Sequence, residues 1–150
     1  FNSDLSFHPF PPDLKLMLSD HPAALIIGDP AFQLGDLDPN ITVYDLSNEW
    51  FLQTGKTFVH AVVAVREKIF LSQTQKFFIQ RAKLEGYGRI REIVCGYKNL
   101  PEVDINILEN YLENKIKYDL DDVALDGLTH FSNLCYQQGI ISKKTSIQFL

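Results

Sequence analysis

The sequence is poor in the patterns that announce a chemistry. Its two cysteines, Cys95 and Cys135, lie far apart and form no CxxC pair, so they read as two reduced core thiols in a cytosolic protein. The four histidines, His8, His21, His60 and His130, show no metal-ligand spacing, and HExxH is absent. There is no Gly-x-Ser-x-Gly elbow, Walker loop or Rossmann fingerprint. No apolar run approaches the length of a transmembrane helix. An excess of positive charge is missing too. Fourteen Lys and Arg against 19 Asp and Glu leave a net charge of −5, which argues against a nucleic-acid or anionic-membrane surface. Internal repeats and low-complexity segments are absent.

What is present is enough apolar material for one domain: 45% of 150 residues are hydrophobic. The chain is organised around Ala24-Leu25-Ile26-Ile27-Gly28-Asp29-Pro30-Ala31-Phe32. A short apolar run bounded by turn residues fits a strand buried on both faces. Gly28 allows close backbone approach or positive φ, Asp29 suits a helix N-cap, and Pro30 suits a first helical residue. Strand, Gly-Asp-Pro, helix is the kind of turn at which open α/β sheets collect ligands. Strand-to-helix turns also carry Gly and Asp for geometry alone, so the pattern needs a second indication before it becomes a site.

Taken in order, residues 1–11 read as loop or edge, and Pro12–Leu18 as a short helix closed by Ser19-Asp20-His21-Pro22. A strand at 24–27 leads into a helical turn at about 30–33 and a polar loop over Gly35–Asn40. Ile41–Tyr44 reads as a second strand, and Asp45 caps a helix through Trp50 that ends at Gly55. Phe58–Val65 is apolar except for His60 and gives the longest buried-strand signal, ending at Arg66. Residues 23–66 are thus expected to be α/β.

Helices dominate after Arg66. One carries Phe70, Phe77, Phe78 and Ala82 to about Leu84, and Gly86 and Gly88 separate it from a segment with Ile90, Ile93 and Val94. Asn99-Leu100-Pro101 is a loop, and Asp104 caps a helix bearing Ile105, Leu108, Tyr111 and Leu112. The last helix starts near Asp121-Asp122, carries Ala124, Leu128, Phe131 and Cys135, and ends at Gly139 before a polar tail with Lys143 and Lys144. Arg89 and Arg91 form a solvated basic face, while Glu85, Glu92 and the carboxylates of 119–126 read as solvated faces and caps. His60 reads as a hydrogen-bonded core or cleft-wall residue rather than a base.

Three blocks together resemble one family. They are Pro11–Leu14 with Asp20-His21-Pro22 through Ala31; Tyr44-Asp45-Leu46-Ser47-Asn48-Glu49-Trp50 with Thr54–Val59, Ala61-Val62 and Ala64–Arg66; and Tyr111-Leu112, Ile116–Leu120, Gly127-Leu128, Phe131 and Gly139–Ile141. In order and spacing the chain resembles the chorismate dehydratases of the futalosine route to menaquinone. The resemblance implies an α/β, periplasmic-binding-protein-like (type 2) two-lobed fold of which this chain is the C-terminal part. Residues 1–57 would belong to the second lobe, and residues 58–150 would form a crossing strand and helices returning to the first. It implies a cytoplasmic lyase that dehydrates chorismate, a small-molecule carboxylate, to 3-[(1-carboxyvinyl)oxy]benzoate without metal or organic cofactor. The Ile27-Gly28-Asp29 turn would face the substrate cleft. The Asn and Ser that such enzymes use would lie upstream of Phe1, consistent with a chain that starts without Met and belongs to a longer polypeptide. No catalytic residue is therefore assigned in this chain, which alone is expected to be inactive.

The family's aromatic-rich crossing strand is altered here to His60 and Val63. A smaller Val63 would reshape the pocket wall, and His60 would add a titratable group. Two further readings stay open: a non-catalytic small-carboxylate-binding protein, and the sister enzyme of the same pathway acting on a naphthoate precursor.

Overall fold

A computed structural model describes residues 6–34, 37–66, 68–100, 102–144 and 147. The expected loop positions Gly35, Asp36 and Pro101, the segment 1–5 and tail positions 145, 146 and 148–150 lie outside the described residues. About half of the described residues are helical, in α1 (Leu14–Asp20), α2 (Asp29–Phe32), α3 (Leu46–Thr54), α4 (Gln73–Tyr87), α5 (Ile90–Gly96), α6 (Ile105–Asn110), a π-helical turn (Tyr111–Lys115) and α7 (Asp122–Gln137).

The α/β expectation is overturned, and with it the two-lobed periplasmic-binding-protein-like fold: among the described residues there is no strand. A strand exists only through its ladder, and no backbone hydrogen bond joins the described residues of 24–27, 41–44 and 58–66 to one another. Nor are these runs buried. Ile27 is 85% exposed and Val63 79%. Apolar runs without neighbours to pair with remain irregular chain, however strand-like their composition.

The helices form where the sequence supplies caps. The Asp13 carboxylate accepts from Leu16 N–H, and Asp45 accepts from Ser47 and Asn48 N–H. Gly55 closes α3 in the left-handed region at φ +67°. Ser72 and Gln75 form a reciprocal capping box on α4, so this helix starts after Phe70, which is exposed and outside it. Asp104 and Asp121 cap α6 and α7 through Asn106 and Ala124 N–H. Gly88 ends α4 and α5 begins two residues later, but Gly86, expected in the break, lies inside α4, which runs past the expected end near Leu84 to Tyr87.

Two apolar clusters result. The first is aliphatic: Ile90, Val94, Leu100 and Leu108 are buried, with Phe32, Val103, Ile105 and Leu112 packed against them. It is built mainly from α5, α6 and the loop between them. Ile93 belongs to the expected face but is exposed, as are Phe77 and Phe78 on α4. The second is aromatic and joins α3 to α7. The Trp50 ring lies 5.8 Å from Phe58, 5.7 Å from His130 and 5.7 Å from Phe131, mostly edge-on. At Gly127 the helix backbone meets the chain at Thr57: a Cβ there would collide with the Thr57 carbonyl oxygen. Lys56 pairs with Asp126 one residue before this contact, at 2.5 Å. The expected core thiols also need correction. Cys95 is exposed on α5, Cys135 is only half-buried on α7, and both are free.

Candidate functional site

The Ile27-Gly28-Asp29 turn sits between the irregular apolar run and α2. Gly28 has φ +73° and ψ −147°, a region open essentially to glycine alone. No side chain caps the first turn of α2, and Pro30 contributes no N–H. Asp29 is therefore not the N-cap that the sequence suggests but the first helical residue, with Gly28 in the capping position.

That shift frees the Asp29 carboxylate to bind elsewhere. The Tyr97 hydroxyl donates to Asp29 Oδ2 at 2.5 Å, and Asn99 Nδ2 donates to the Tyr97 oxygen at 3.3 Å. The carboxylate at Asp29 holds the Tyr97 phenol above its ordinary pKa, against the opposite pull of Asn99. Phe32, one turn on, meets Tyr111 edge-on at 4.9 Å and packs on the aliphatic cluster. The turn is thus pinned to α5 and to the π-helical turn by two tyrosines. Tyr97 and Asn99 escaped the sequence reading because nothing in their spacing ties them to a residue 68 positions upstream.

Beside the turn lies a cavity of about 610 Å³, bounded among others by Leu14, Lys15, Ile26, Pro30, Gln33 and Ile41. Its size falls in the range of small-molecule pockets. Ile26 and Pro30 bring it to the edges of the turn, while Ile27, Gly28 and Asp29 themselves do not line it. Among the described residues Lys15 is its one basic side chain, and Asp13 and Asp38 are its carboxylates.

The two altered positions have different surroundings. His60 is exposed rather than the core or cleft-wall residue expected; its Nε2 lies 3.1 Å from Ser47 Oγ at the start of α3, and its ring meets Phe58 at 5.1 Å. Val63 is exposed and walls no cavity described for this chain. Among the described residues no hydrogen bond or ring contact brings His60 to the Gly28 turn. The arginines read as a basic face are paired: Arg89 with Glu92 at 2.5 Å and Arg91 with Glu109 at 2.7 Å. Among the described residues no group of three or more His, Cys, Asp or Glu side chains could hold a metal ion. None of the helices there is long and apolar enough to cross a membrane.

A capped helical chain with a pinned Gly-Asp-Pro turn beside a cavity takes its class from its relatives. The chain belongs to a family of menaquinone biosynthesis, whose profile matches residues 1–137. Within that class it is similar to a protein of Thermus thermophilus named chorismate dehydratase, 29% identical over 131 residues, covering 77% of this chain and 48% of the relative. The chain thus spans about half the length of the curated relative it matches. No solved structure matches it.

Proposed function

We propose that this chain is part of a cytoplasmic chorismate dehydratase, a carbon–oxygen lyase of menaquinone biosynthesis that forms 3-[(1-carboxyvinyl)oxy]benzoate. The observation that carries the reading is the family match over residues 1–137, which takes in the first two sequence blocks and the third as far as Phe131. The Ile27-Gly28-Asp29 turn is proposed as a substrate-facing element. Support comes from the adjoining cavity and from Gly28, whose missing Cβ leaves open space: among the described residues nothing lies within 4 Å of where that atom would stand. Lys15 would supply positive charge to a substrate carboxylate, and Leu14, Ile26 and Ile41 an apolar wall for its ring. Asp29, engaged by Tyr97, would hold the turn in place rather than meet the anionic substrate.

The test is incubation of the full-length protein with chorismate and detection of the benzoate product by HPLC. Product formation supports the lyase. Absence of product overturns it, and a melting temperature still raised by chorismate would then identify a carboxylate-binding protein. Gly28→Val tests the turn: any β-branched residue is strained at φ +73°, so the loop must rearrange. Chorismate binding is expected to fall at least tenfold, and unchanged binding would remove the turn from the site.

A further inference from the structure

Beyond α7 the chain doubles back on its own helix. Gly139 takes φ +70°, its N–H donates to the Tyr136 carbonyl at 3.1 Å, and the Ile140 N–H donates to the Cys135 carbonyl at 2.9 Å. These are the two bonds of a Schellman cap. The reversal delivers Lys144 to the helix face on which His130, Asn133, Leu134 and Gln137 recur with helical spacing. With Tyr136, these residues line a half-open cavity of about 340 Å³.

The chemistry of this lining is one-sided. The chain as a whole carries −5, yet among the described residues no carboxylate lines the cavity. Lys144 is a cation, and Asn133, Gln137, His130 and Tyr136 all present N–H or O–H donors. Lys144 enters no ion pair among the described residues. Asp126, one turn before His130 on α7, is already engaged by Lys56. A helix C-terminus ordinarily repels anions through its open carbonyls. Here the carbonyls of Leu134, Cys135 and Tyr136 accept from Gln138, Ile140 and Gly139 N–H, which blunts that repulsion.

We infer that the end of α7 is a binding site for a small oxyanion, the phosphate or carboxylate group of a small metabolite, with Lys144 as the charge and Asn133 and Gln137 as donors. The site shares no residue with the Gly28 turn and stands whether or not the lyase reading holds.

Trp50 is the sole tryptophan of the sequence, and its ring lies 5.7 Å from His130, so its fluorescence reports on the site. Inorganic phosphate is titrated into the full chain at constant ionic strength, with succinate in a parallel titration and chloride as the reference. A saturable change with phosphate or succinate, weakened at least tenfold in Lys144→Met, is the expected result; whichever anion saturates at lower concentration names the class. No saturable change with either anion, or equal affinity in Lys144→Met, overturns the site. Lys144 is exposed, so Lys144→Met leaves the aromatic packing around Trp50 in place.

Discussion

The aliphatic cluster around α5 and α6 and the aromatic cluster between α3 and α7 solve the same problem in different ways. The first closes over a short stretch, with Ile90, Val94, Leu100 and Leu108 all at most 9% exposed. The second joins residues more than 70 positions apart and stays half-open, with Phe131 40% exposed. Local sequence supplies the first through helical spacing. The second depends on one backbone contact, Gly127 against Thr57, and on the fit of four rings. It also holds a strained detail: the Trp50 indole N–H is buried without a partner among the described residues. An unpaired buried donor costs stability, so the ring packing must outweigh it.

If the two clusters are independent, the largest single effects come from emptying each in turn. Trp50→Ala and Leu108→Ala are each expected to destabilise the chain by about 2–3 kcal/mol, the former reduced by the half-exposure of its surroundings. Urea denaturation followed by circular dichroism measures both. The double variant should equal the sum to within about 0.5 kcal/mol. A larger departure would mean that the clusters form one core.

Gly127→Ala sharpens the aromatic side. Alanine is the better helix former by about 1 kcal/mol, yet the added Cβ meets the Thr57 carbonyl and must push α7 away. Net destabilisation of about 2 kcal/mol is expected from this overpacking, with a shift in Trp50 emission. A more stable variant would show that α7 is not held at Thr57.

The smallest effect is acid dependence at the start of α7. Lys117 first, and then the Ala124 N–H, hold the Asp121 carboxyl below its ordinary pKa, while the same pair raises Lys117. A depressed carboxylate contributes stability that is present above the ordinary carboxylate range and lost as pH falls through the depressed value. Helicity followed by circular dichroism should therefore fall as pH drops below about 4. Asp121→Asn should flatten that acid limb. An unaltered limb would assign it to other carboxylates.

Much of the helical content was legible because caps are local. Asp45, Asp104, Asp121, Gly55 and Gly139 each act on N–H or carbonyl groups within a few residues, so composition and spacing suffice to locate them. The apolar runs at 24–27, 41–44 and 58–66 misled for the opposite reason. Their residue types suit strands, but a strand is defined by a partner that no run of side chains specifies. At the candidate turn, Gly28 was visible from its place in the pattern, whereas Tyr97 and Asn99 were not.

By itself, then, the sequence determined most of the helix caps, the family to which the chain belongs, and the net negative charge. Tertiary structure alone decided that Asp29 is held by Tyr97, that α7 seats on Thr57 through Gly127, and that Lys144 returns to the end of its helix. Caps and composition act over a few residues, and contacts across tens of residues exist only once loop closure has brought them together.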